Sequence, residues 1–282
     1  MTAPAQVGAW VLERELGRGG FGAVYRARHA VHGTPAALKL LLGGVDPDEV
    51  LRVEREAQAL ARLRHPGVVR LLDHGRHPRG WFLVMELVEG ESLHERVRRG
   101  GPLPAAVAAQ LVERLARACA HVHAAGLVHR DIKPENVIVD AGGLPRLIDF
   151  GLVRPLDPAT PALTATGVLV GTPAFMAPEQ VTGGGRAADA RADVYGLGGA
   201  LYFALTGEAP FRGTNPVTVL TALLHQEPDP PAALVRSVPR AISDVCMRAL
   251  AKAPDARFAT SAAMADALAD AAGAPRPPSG RE

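Results

Sequence analysis

A short polar segment, His-Arg-Asp-Ile-Lys-Pro-Glu-Asn at 129–136, constrains this chain more than any other feature, together with Asp-Phe-Gly at 149–151. Transfer of a phosphoryl group requires a carboxylate at the attacking hydroxyl and separate oxygen ligands that hold magnesium on the nucleotide phosphates. Asp131 suits the first role, and Asn136 and Asp149 suit the second because Mg²⁺ prefers oxygen ligands. Each of these residues alone would more often cap a helix or a turn. Together, at this spacing, they predict a phosphoryl-transfer site.

A glycine-rich stretch lies near the N-terminus, where backbone N–H groups without side chains beside them can approach phosphate oxygens. A tight hairpin is the structural alternative, and a dinucleotide-binding turn is the functional one, but such a turn should open a helix. The β-forming residues 23–28 follow instead, so we predict a strand-turn-strand that covers phosphates. The stretch consists of Leu16, Gly17, Arg18, Gly19, Gly20, Phe21 and Gly22.

Lys39 ends the apolar run 36–39, and it is one of three lysines among 31 basic residues. Lysine is a compact charge that can bond phosphates and one carboxylate, whereas the planar arginine fork demands a different geometry. We therefore predict that Lys39 binds nucleotide. Lys133 is the second lysine, and Lys252 is interpreted as an exposed residue of a helix.

Lys39 needs a carboxylate to orient it, and Glu56 is the candidate. Residues 48–63 form an amphipathic helical pattern in which Glu56 shares the apolar stripe with Leu60 and Leu63. A glutamate on that stripe is costly unless it is paired with a cation. We therefore predict an ion pair between Glu56 and Lys39.

With these segments in place, the chain resembles the eukaryotic-type protein kinases, and within them the bacterial serine/threonine protein kinases, over residues 8–270. Further matching residues are Glu179 in Ala-Pro-Glu, Asp193 and Arg257. The resemblance implies an α+β, bilobal protein-kinase-like fold. It has a small β-rich N-lobe (8–85) with one key helix, a hinge (86–90) and a larger, mostly helical C-lobe (91–270). Residues 1–7 and 271–282 are expected to be disordered, the latter as a tail or linker.

The resemblance also implies roles for individual residues. Lys133 would neutralise the transferring phosphoryl group, Thr172 would contact the catalytic aspartate and lysine, and Glu179, Asp193 and Arg257 would be structural. The adenine ring would be held by Met85, Glu86 and Val88 at the hinge and sandwiched by Val24, Ala37 and Ile138. A column of contacts found in active members would contain Leu60, Leu71, His129 and Phe150.

The segment between Gly151 and Ala177 contains threonines but no serine or tyrosine. Thr164 and Thr166 match activating phosphorylation sites of the bacterial family. Arg130 and Arg154 could pair with such a phosphate bidentately and order the segment. We therefore expect activation by autophosphorylation on threonine.

The implied reaction transfers the γ-phosphoryl group of ATP, with Mg²⁺ or Mn²⁺, to serine or threonine of protein substrates, with a homodimer for autophosphorylation in trans. A pseudokinase scaffold is one alternative, although every expected catalytic position is filled. A small-molecule phosphotransferase is the other; such enzymes share the spacing of Asp131 and Asn136, but the Ala-Pro-Glu element is reserved for protein kinases.

Composition excludes several other classes of protein. A formal net charge of +2 gives no electrostatic argument for a nucleic-acid partner. The uncharged span 194–207 is shorter than the ~20 residues that cross a bilayer, so we expect no membrane span. Cys119 and Cys246 are too few for a disulfide framework, which favours a reducing compartment and a cytoplasmic location. His121 and His123 are interpreted as surface or hydrogen-bonded residues, because no familiar metal-ligand spacing surrounds them.

Overall fold

The computed structural model describes residues 5–19, 22–42, 47–78, 80–150, 173–182 and 189–273. Its N-terminal part is a six-stranded antiparallel sheet with the strand order β1-β2-β3-β4-β6-β5 and one helix, α1. The elements are β1 (Gln6–Val7), β2 (Trp10–Gly19), β3 (Gly22–His29), β4 (Pro35–Leu42), α1 (Pro47–Arg62), β5 (Leu71–His77) and β6 (Gly80–Glu86).

The two faces of this sheet follow from the alternation of side chains along β4. Ala36, Leu38 and Leu40 are buried on one face, where they pack in a small cluster with Trp10 and Phe82. Alternate residues of a strand point to opposite faces. The residues between them, including Lys39, therefore face the other way, toward the rest of the protein.

The C-terminal part is helical apart from one small sheet. Its helices are α2 (Leu93–Gly100), α3 (Ala105–Ala124), α4 (Pro178–Thr182), α5 (Ala190–Thr206), α6 (Pro216–His225), α7 (Pro231–Leu234), α8 (Arg240–Ala249) and α9 (Ser261–Ala271). Strands β7 (Glu91–Ser92), β8 (Val137–Val139) and β9 (Pro145–Leu147) form the sheet in that order. Within the described ranges, no helix is both long and apolar enough to cross a membrane.

Helix α5 is the centre of this part. Its residues 192–205 are all buried, and the helix packs against α3 and α8. A helix that is apolar on every side belongs in a protein core. This explains the uncharged span seen in the sequence.

Helix starts follow local capping chemistry. The Ser92 side chain accepts the backbone N–H of Glu95, and the Glu95 carboxylate accepts that of Ser92, a reciprocal capping box at α2. The side chains of Asp189, Asn215 and Thr260 accept a backbone N–H in the first turn of α5, α6 and α9. These side chains satisfy donors that the first turn of a helix leaves unpaired.

Lys252 is not the exposed helical residue that the sequence pattern predicted. It lies after the end of α8, where its Nζ donates to the carbonyl oxygen of Leu223 at 2.6 Å and sits 3.9 Å from the centre of the Phe211 ring. Burial lowers the pKa of Lys252 to about 8. The sequence pattern did not reveal this contact because both partners lie on a segment distant in sequence.

A buried ion pair connects α4 to the loop before α9. The Arg257 guanidinium meets both carboxylate oxygens of Glu179 at 2.7 Å and also donates to the carbonyl oxygens of Ala251, Arg191 and Lys252. Its side chain is fully buried. The bidentate geometry and the added carbonyl acceptors satisfy a charge that would otherwise be costly to bury.

We expect Arg257→Ala to lower the free energy of unfolding by about 3–5 kcal/mol, because it leaves the Glu179 carboxylate without its buried partner. Arg99→Ala is the control, since Arg99 is mostly exposed in its pair with Glu91 and its loss should lower the free energy of unfolding far less. Urea unfolding of both variants measures the difference. Equal stability of the two variants would contradict the structural role of Arg257.

Candidate active site

The segment that carries Asp131 is attached to the core by one buried carboxylate. Asp193, in the first turn of α5, accepts the backbone N–H of His129 at 2.8 Å and that of Arg130 at 2.7 Å. Arg130 has a φ of 64°, an unusual conformation for a residue with a side chain. The two hydrogen bonds hold this strained backbone in place, and they aim the side chains that follow it.

Asp193 is ionised in this environment. Burial alone would raise its pKa, but the hydrogen bond from His123, the two imidazole rings nearby and the hydrogen bond from the His129 backbone N–H outweigh burial and hold the pKa below its ordinary value. A carboxylate that accepts several N–H groups is stabilised in its charged form. The anchor is therefore a charged acceptor at neutral pH.

Asp131 lies between two polar side chains of the same segment. Its Oδ2 accepts a hydrogen bond from Nδ2 of Asn136 at 2.8 Å and lies 3.1 Å from Nζ of Lys133. Asn136 Nδ2 also donates to the backbone carbonyl of Asp131 at 2.8 Å. Since the amide nitrogen is committed to Asp131, the amide oxygen is the atom that Asn136 could offer a metal. Two neighbours within the same segment thus hold the Asp131 carboxylate in place.

His129 is fully buried and forms hydrogen bonds with Asp131 and Ile148. Its Nε2 donates to the Ile148 carbonyl at 3.0 Å, its Nδ1 accepts the Asp131 N–H at 3.3 Å, and burial lowers its pKa. The imidazole ring is 4.5 Å from the Phe150 ring, centre to centre. The other residues expected in this column, Leu60 and Leu71, are also buried. A neutral, fully buried His129 thus supports the loop by packing and hydrogen bonding.

Lys39 pairs with a different carboxylate from the one expected. Its Nζ forms an ion pair with Oδ1 of Asp149, whereas the carboxylate of Glu56 lies 3.5 Å from Nη1 of Arg130. Among the described residues, the structure thus pairs Lys39 with Asp149 and Glu56 with Arg130, not Glu56 with Lys39 as predicted. The reason is tertiary: Arg130 presents a second cation to the inner face of α1, and the sequence pattern could not weigh it against Lys39.

The strand register gathers the predicted nucleotide-binding residues on one face. Lys39 lies opposite Val24 of β3, and Ala37 lies opposite Met85 of β6. Directly opposed residues, and residues two apart on one strand, point to the same face. Val24, Ala37, Lys39 and Met85 therefore share the inner face of the sheet.

The ends of the glycine-rich stretch belong to strands. β2 runs to Gly19 and β3 begins at Gly22. Gly22 has a φ of 148°, and a Cβ there would lie 2.0 Å from the carbonyl oxygen of Leu40, so only glycine fits. Leu16 is exposed, and exposed Arg18 pairs with Glu15 at 2.6 Å.

One backbone group of the hinge is already used within the protein. The Glu86 N–H already donates to the carbonyl of Arg70 at 2.9 Å, so an adenine could meet the carbonyl of Glu86 but not its N–H. The Glu86 carboxylate is 3.0 Å from Nη1 of Arg146 on β9, a contact that the sequence did not indicate. Val88 and Ile138 are half-buried beside this segment.

A small cleft lies beside Asp131, between residues 130–133 and the residues around the 3-10 helix 173–175. Gln180 closes one side: its amide nitrogen donates to the Arg130 carbonyl at 2.9 Å, and its amide oxygen accepts the Ala177 N–H at 3.0 Å. Gln180 was not predicted, because nothing in the sequence singles it out except its place directly after Glu179. The cleft is lined by Arg130, Asp131, Ile132, Lys133, Phe175, Met176, Gln180, Ala192 and Gly196.

Several predicted site residues fall outside the described ranges. They comprise two residues of the glycine-rich stretch and residues of the segment after Asp149. They are Gly20, Phe21, Arg154, Thr164, Thr166 and Thr172.

Comparison with known proteins agrees with this geometry. The family model "Protein kinase domain" matches residues 10–268. The DNA damage-responsive serine/threonine-protein kinase RqkA of Deinococcus radiodurans is 42% identical over 92% of this chain and 39% of its own length. The serine/threonine-protein kinase PknB of Mycobacterium tuberculosis is 36% identical over 94% of this chain and 43% of its own length. The chain thus spans about two fifths of these relatives.

Among solved structures, Rad53 1-466 in complex with AMP-PNP matches with a TM-score of 0.75 and 25% sequence identity. The match covers 92% of this chain and 64% of that chain. The predicted α+β, bilobal fold is confirmed by this likeness and by the family match. The catalytic segment anchored to α5, the lysine on the sheet and these similarities lead to one conclusion: this chain belongs to the protein kinase family, in its bacterial serine/threonine branch.

Proposed function

We propose that this chain transfers the γ-phosphoryl group of ATP to serine or threonine hydroxyls of proteins. The observation that carries the proposal is the position of the Asp131 carboxylate, held by Asn136 Nδ2 at 2.8 Å and faced by Lys133 Nζ at 3.1 Å. It opens onto the cleft beside residues 173–176, where a peptide hydroxyl could reach it.

Each residue has a separate task in this proposal. Asp131 accepts the proton of the attacking hydroxyl and orients it. Lys133 balances the negative charge that develops on the transferred group. Lys39 bonds the nucleotide phosphates from the inner face of the sheet, and the strand ends at Gly19 and Gly22 cover them.

Asn136 and Asp149 are the residues that would hold Mg²⁺ or Mn²⁺. Each has an oxygen atom to offer a cation, since the Asn136 amide nitrogen is committed to Asp131, which leaves its amide oxygen, and Asp149 carries a carboxylate that pairs with Lys39. Oxygen ligands suit either cation. The bound cation would neutralise charge on the phosphates.

Two alternatives are weaker. A pseudokinase scaffold would need no ordered base, yet Asp131 has two polar partners that fix its orientation. A small-molecule phosphotransferase would need no surface for a polypeptide, yet residues 173–182 form an ordered wall beside the base.

We expect Asp149→Asn and Lys39→Met each to lower phosphate transfer to a protein substrate by at least about 10²-fold, because each removes a charge that acts on the phosphates. Transfer of radiolabelled γ-phosphate from ATP to a mixed histone or casein substrate is the measurement. Asp244→Asn on α8, where the carboxylate is largely exposed, is the control and should keep wild-type activity.

Folding of each variant is checked by circular dichroism. A folded Asp149→Asn or Lys39→Met protein with near wild-type turnover would contradict the assigned role. Label that appears on a small metabolite but not on protein would favour the small-molecule alternative.

Met85 is proposed to form the back wall of the adenine pocket. It is buried on the inner face of the sheet, opposite Ala37 and Leu71. We expect Met85→Gly to accept ATP analogues enlarged at N6 that the wild type excludes, because the lost side chain leaves a cavity. Met85→Leu, which conserves volume, should still exclude them. Competition of each analogue with ATP measures this, and equal exclusion by all three proteins would refute the assignment.

Autophosphorylation of Thr164 or Thr166, in trans within a homodimer, is proposed to activate the enzyme. Arg130 Nε is buried and has no hydrogen-bond partner among the described residues, and Nη1 faces Glu56 at 3.5 Å. A phosphate is a stronger partner for the guanidinium than a single carboxylate. It would draw Arg130 away from Glu56, which could then meet Lys39.

We expect mass spectrometry after incubation with ATP to find phosphate on Thr164 or Thr166, and the double variant Thr164→Ala, Thr166→Ala to lose activity severalfold. Thr160→Ala, in the same segment, is the control and should remain active. The initial rate of autophosphorylation should rise more steeply than linearly with protein concentration if transfer occurs in trans. Full activity of the double variant would overturn the switch.

A further inference from the structure

Three side chains that could bind a metal meet between α3 and α5, behind the catalytic segment. Cys119 and His123 are one turn apart on α3, so both face the same side of the helix, and Asp193 lies opposite in the first turn of α5. Cys119 and Asp193 are buried, and 13% of the His123 side chain is exposed. No metal-ligand spacing is visible here in the sequence because the third donor lies on another helix.

The donor atoms form a triangle of suitable size. Cys119 Sγ is 3.3 Å from His123 Nε2 and 3.6 Å from Asp193 Oδ2, and Nε2 is 2.8 Å from Oδ2. Tetrahedral zinc, with bonds of about 2.0–2.3 Å, sets neighbouring ligand atoms roughly 3.4–3.6 Å apart. A cation would need Nε2 of His123 to move roughly 0.6 Å farther from Oδ2 of Asp193 and slightly farther from Sγ of Cys119.

We propose that Cys119, His123 and Asp193 form a site for one Zn²⁺ or a similar borderline-soft divalent cation. This site is separate from the proposed magnesium ligands Asn136 and Asp149, which offer only oxygen. A thiolate and an imidazole select a softer cation than Mg²⁺. The exposed edge of His123 gives the cation a way in.

The charges and protons balance, although the atom that would bind the cation, Oδ2 of Asp193, also accepts the N–H of His129 at 2.8 Å and would have to keep that hydrogen bond. Burial and the Asp193 carboxylate raise the pKa of the Cys119 thiol, so the sulfur carries a proton until a cation arrives. The cation displaces this proton to solvent and takes the place of the N–H···O hydrogen bond between His123 and Asp193. Thiolate and carboxylate then neutralise its two charges.

The other hydrogen bonds of His123 and Asp193 are compatible with a bound cation. With the cation on Nε2, the proton of a neutral His123 ring moves to Nδ1, which lies 3.4 Å from the hydroxyl of Ser261. Such an outer hydrogen bond orients metal-binding histidines. Asp193 keeps Oδ1 for the N–H of Arg130, and water completes a four-coordinate shell.

Cys246 provides a matched control. It is also fully buried and carries a free thiol, but its Sγ faces the Gly198 carbonyl at 3.5 Å and it does not belong to the metal-ligating cluster. Both cysteines can be replaced by serine with little change in volume. Neither residue belongs to the catalytic or nucleotide-binding set.

The test is titration of the intact chain with Co²⁺, in excess Mg²⁺ that occupies the oxygen ligands. We expect one equivalent of Co²⁺ to produce the near-ultraviolet thiolate-to-metal charge-transfer band, one equivalent of Zn²⁺ to abolish it, and Zn²⁺ to raise Tm. Cys119→Ser should lose the band, and Cys246→Ser should keep it.

Absence of the band in the folded wild type would overturn the proposal, even if Cys119→Ser did not fold. Persistence of the band in folded Cys119→Ser, or its loss in folded Cys246→Ser, would also overturn it. Binding of Co²⁺ without a thiolate band would indicate an adventitious ion only, and it too would count against the site.

Discussion

The buried carboxylate of Asp193 is the interaction on which the active site depends. It lies on the most deeply buried helix of the protein and reaches two consecutive backbone N–H groups, those of His129 and Arg130. A charged acceptor is required because these N–H groups belong to a backbone with a positive φ, which an ordinary hydrogen bond would hold less firmly. Helix α5 can supply that acceptor rigidly because its own position is set by packing on all sides.

A second constraint acts across the cleft between the sheet and the helical part. Lys39 on β4 pairs with Asp149, and Arg130 on the catalytic segment faces Glu56 on α1. In each pair, one partner comes from the N-terminal part and one from the C-terminal part. The distance between the two parts and the ion pairs of the site therefore depend on each other. A phosphate introduced near Arg130 would change both pairings, which is the physical basis of the proposed switch.

Local spacing explains which contacts could be predicted. Asp131, Lys133 and Asn136 lie within one short segment, so their meeting needs only a turn and the 3-10 helix at 134–136. The side-chain cap at the start of α5 also depends only on neighbouring residues. The same holds for the uncharged stretch that this helix buries. The contacts that were not predicted, such as Glu56 with Arg130 and Lys252 with Leu223, join residues whose nearness depends on how whole elements pack.

By itself, the sequence determined the family: a carboxylate, an amide and a lysine at the expected spacing carry the resemblance to protein kinases, which the comparisons confirm. The α+β, bilobal division of the chain followed from that resemblance. Only the tertiary structure decided which cation Glu56 meets, which N–H groups of the hinge are already used, and that Cys119 and His123 lie beside Asp193. Each of these groups could meet more than one partner, and the packing of helices and strands decides which one it meets.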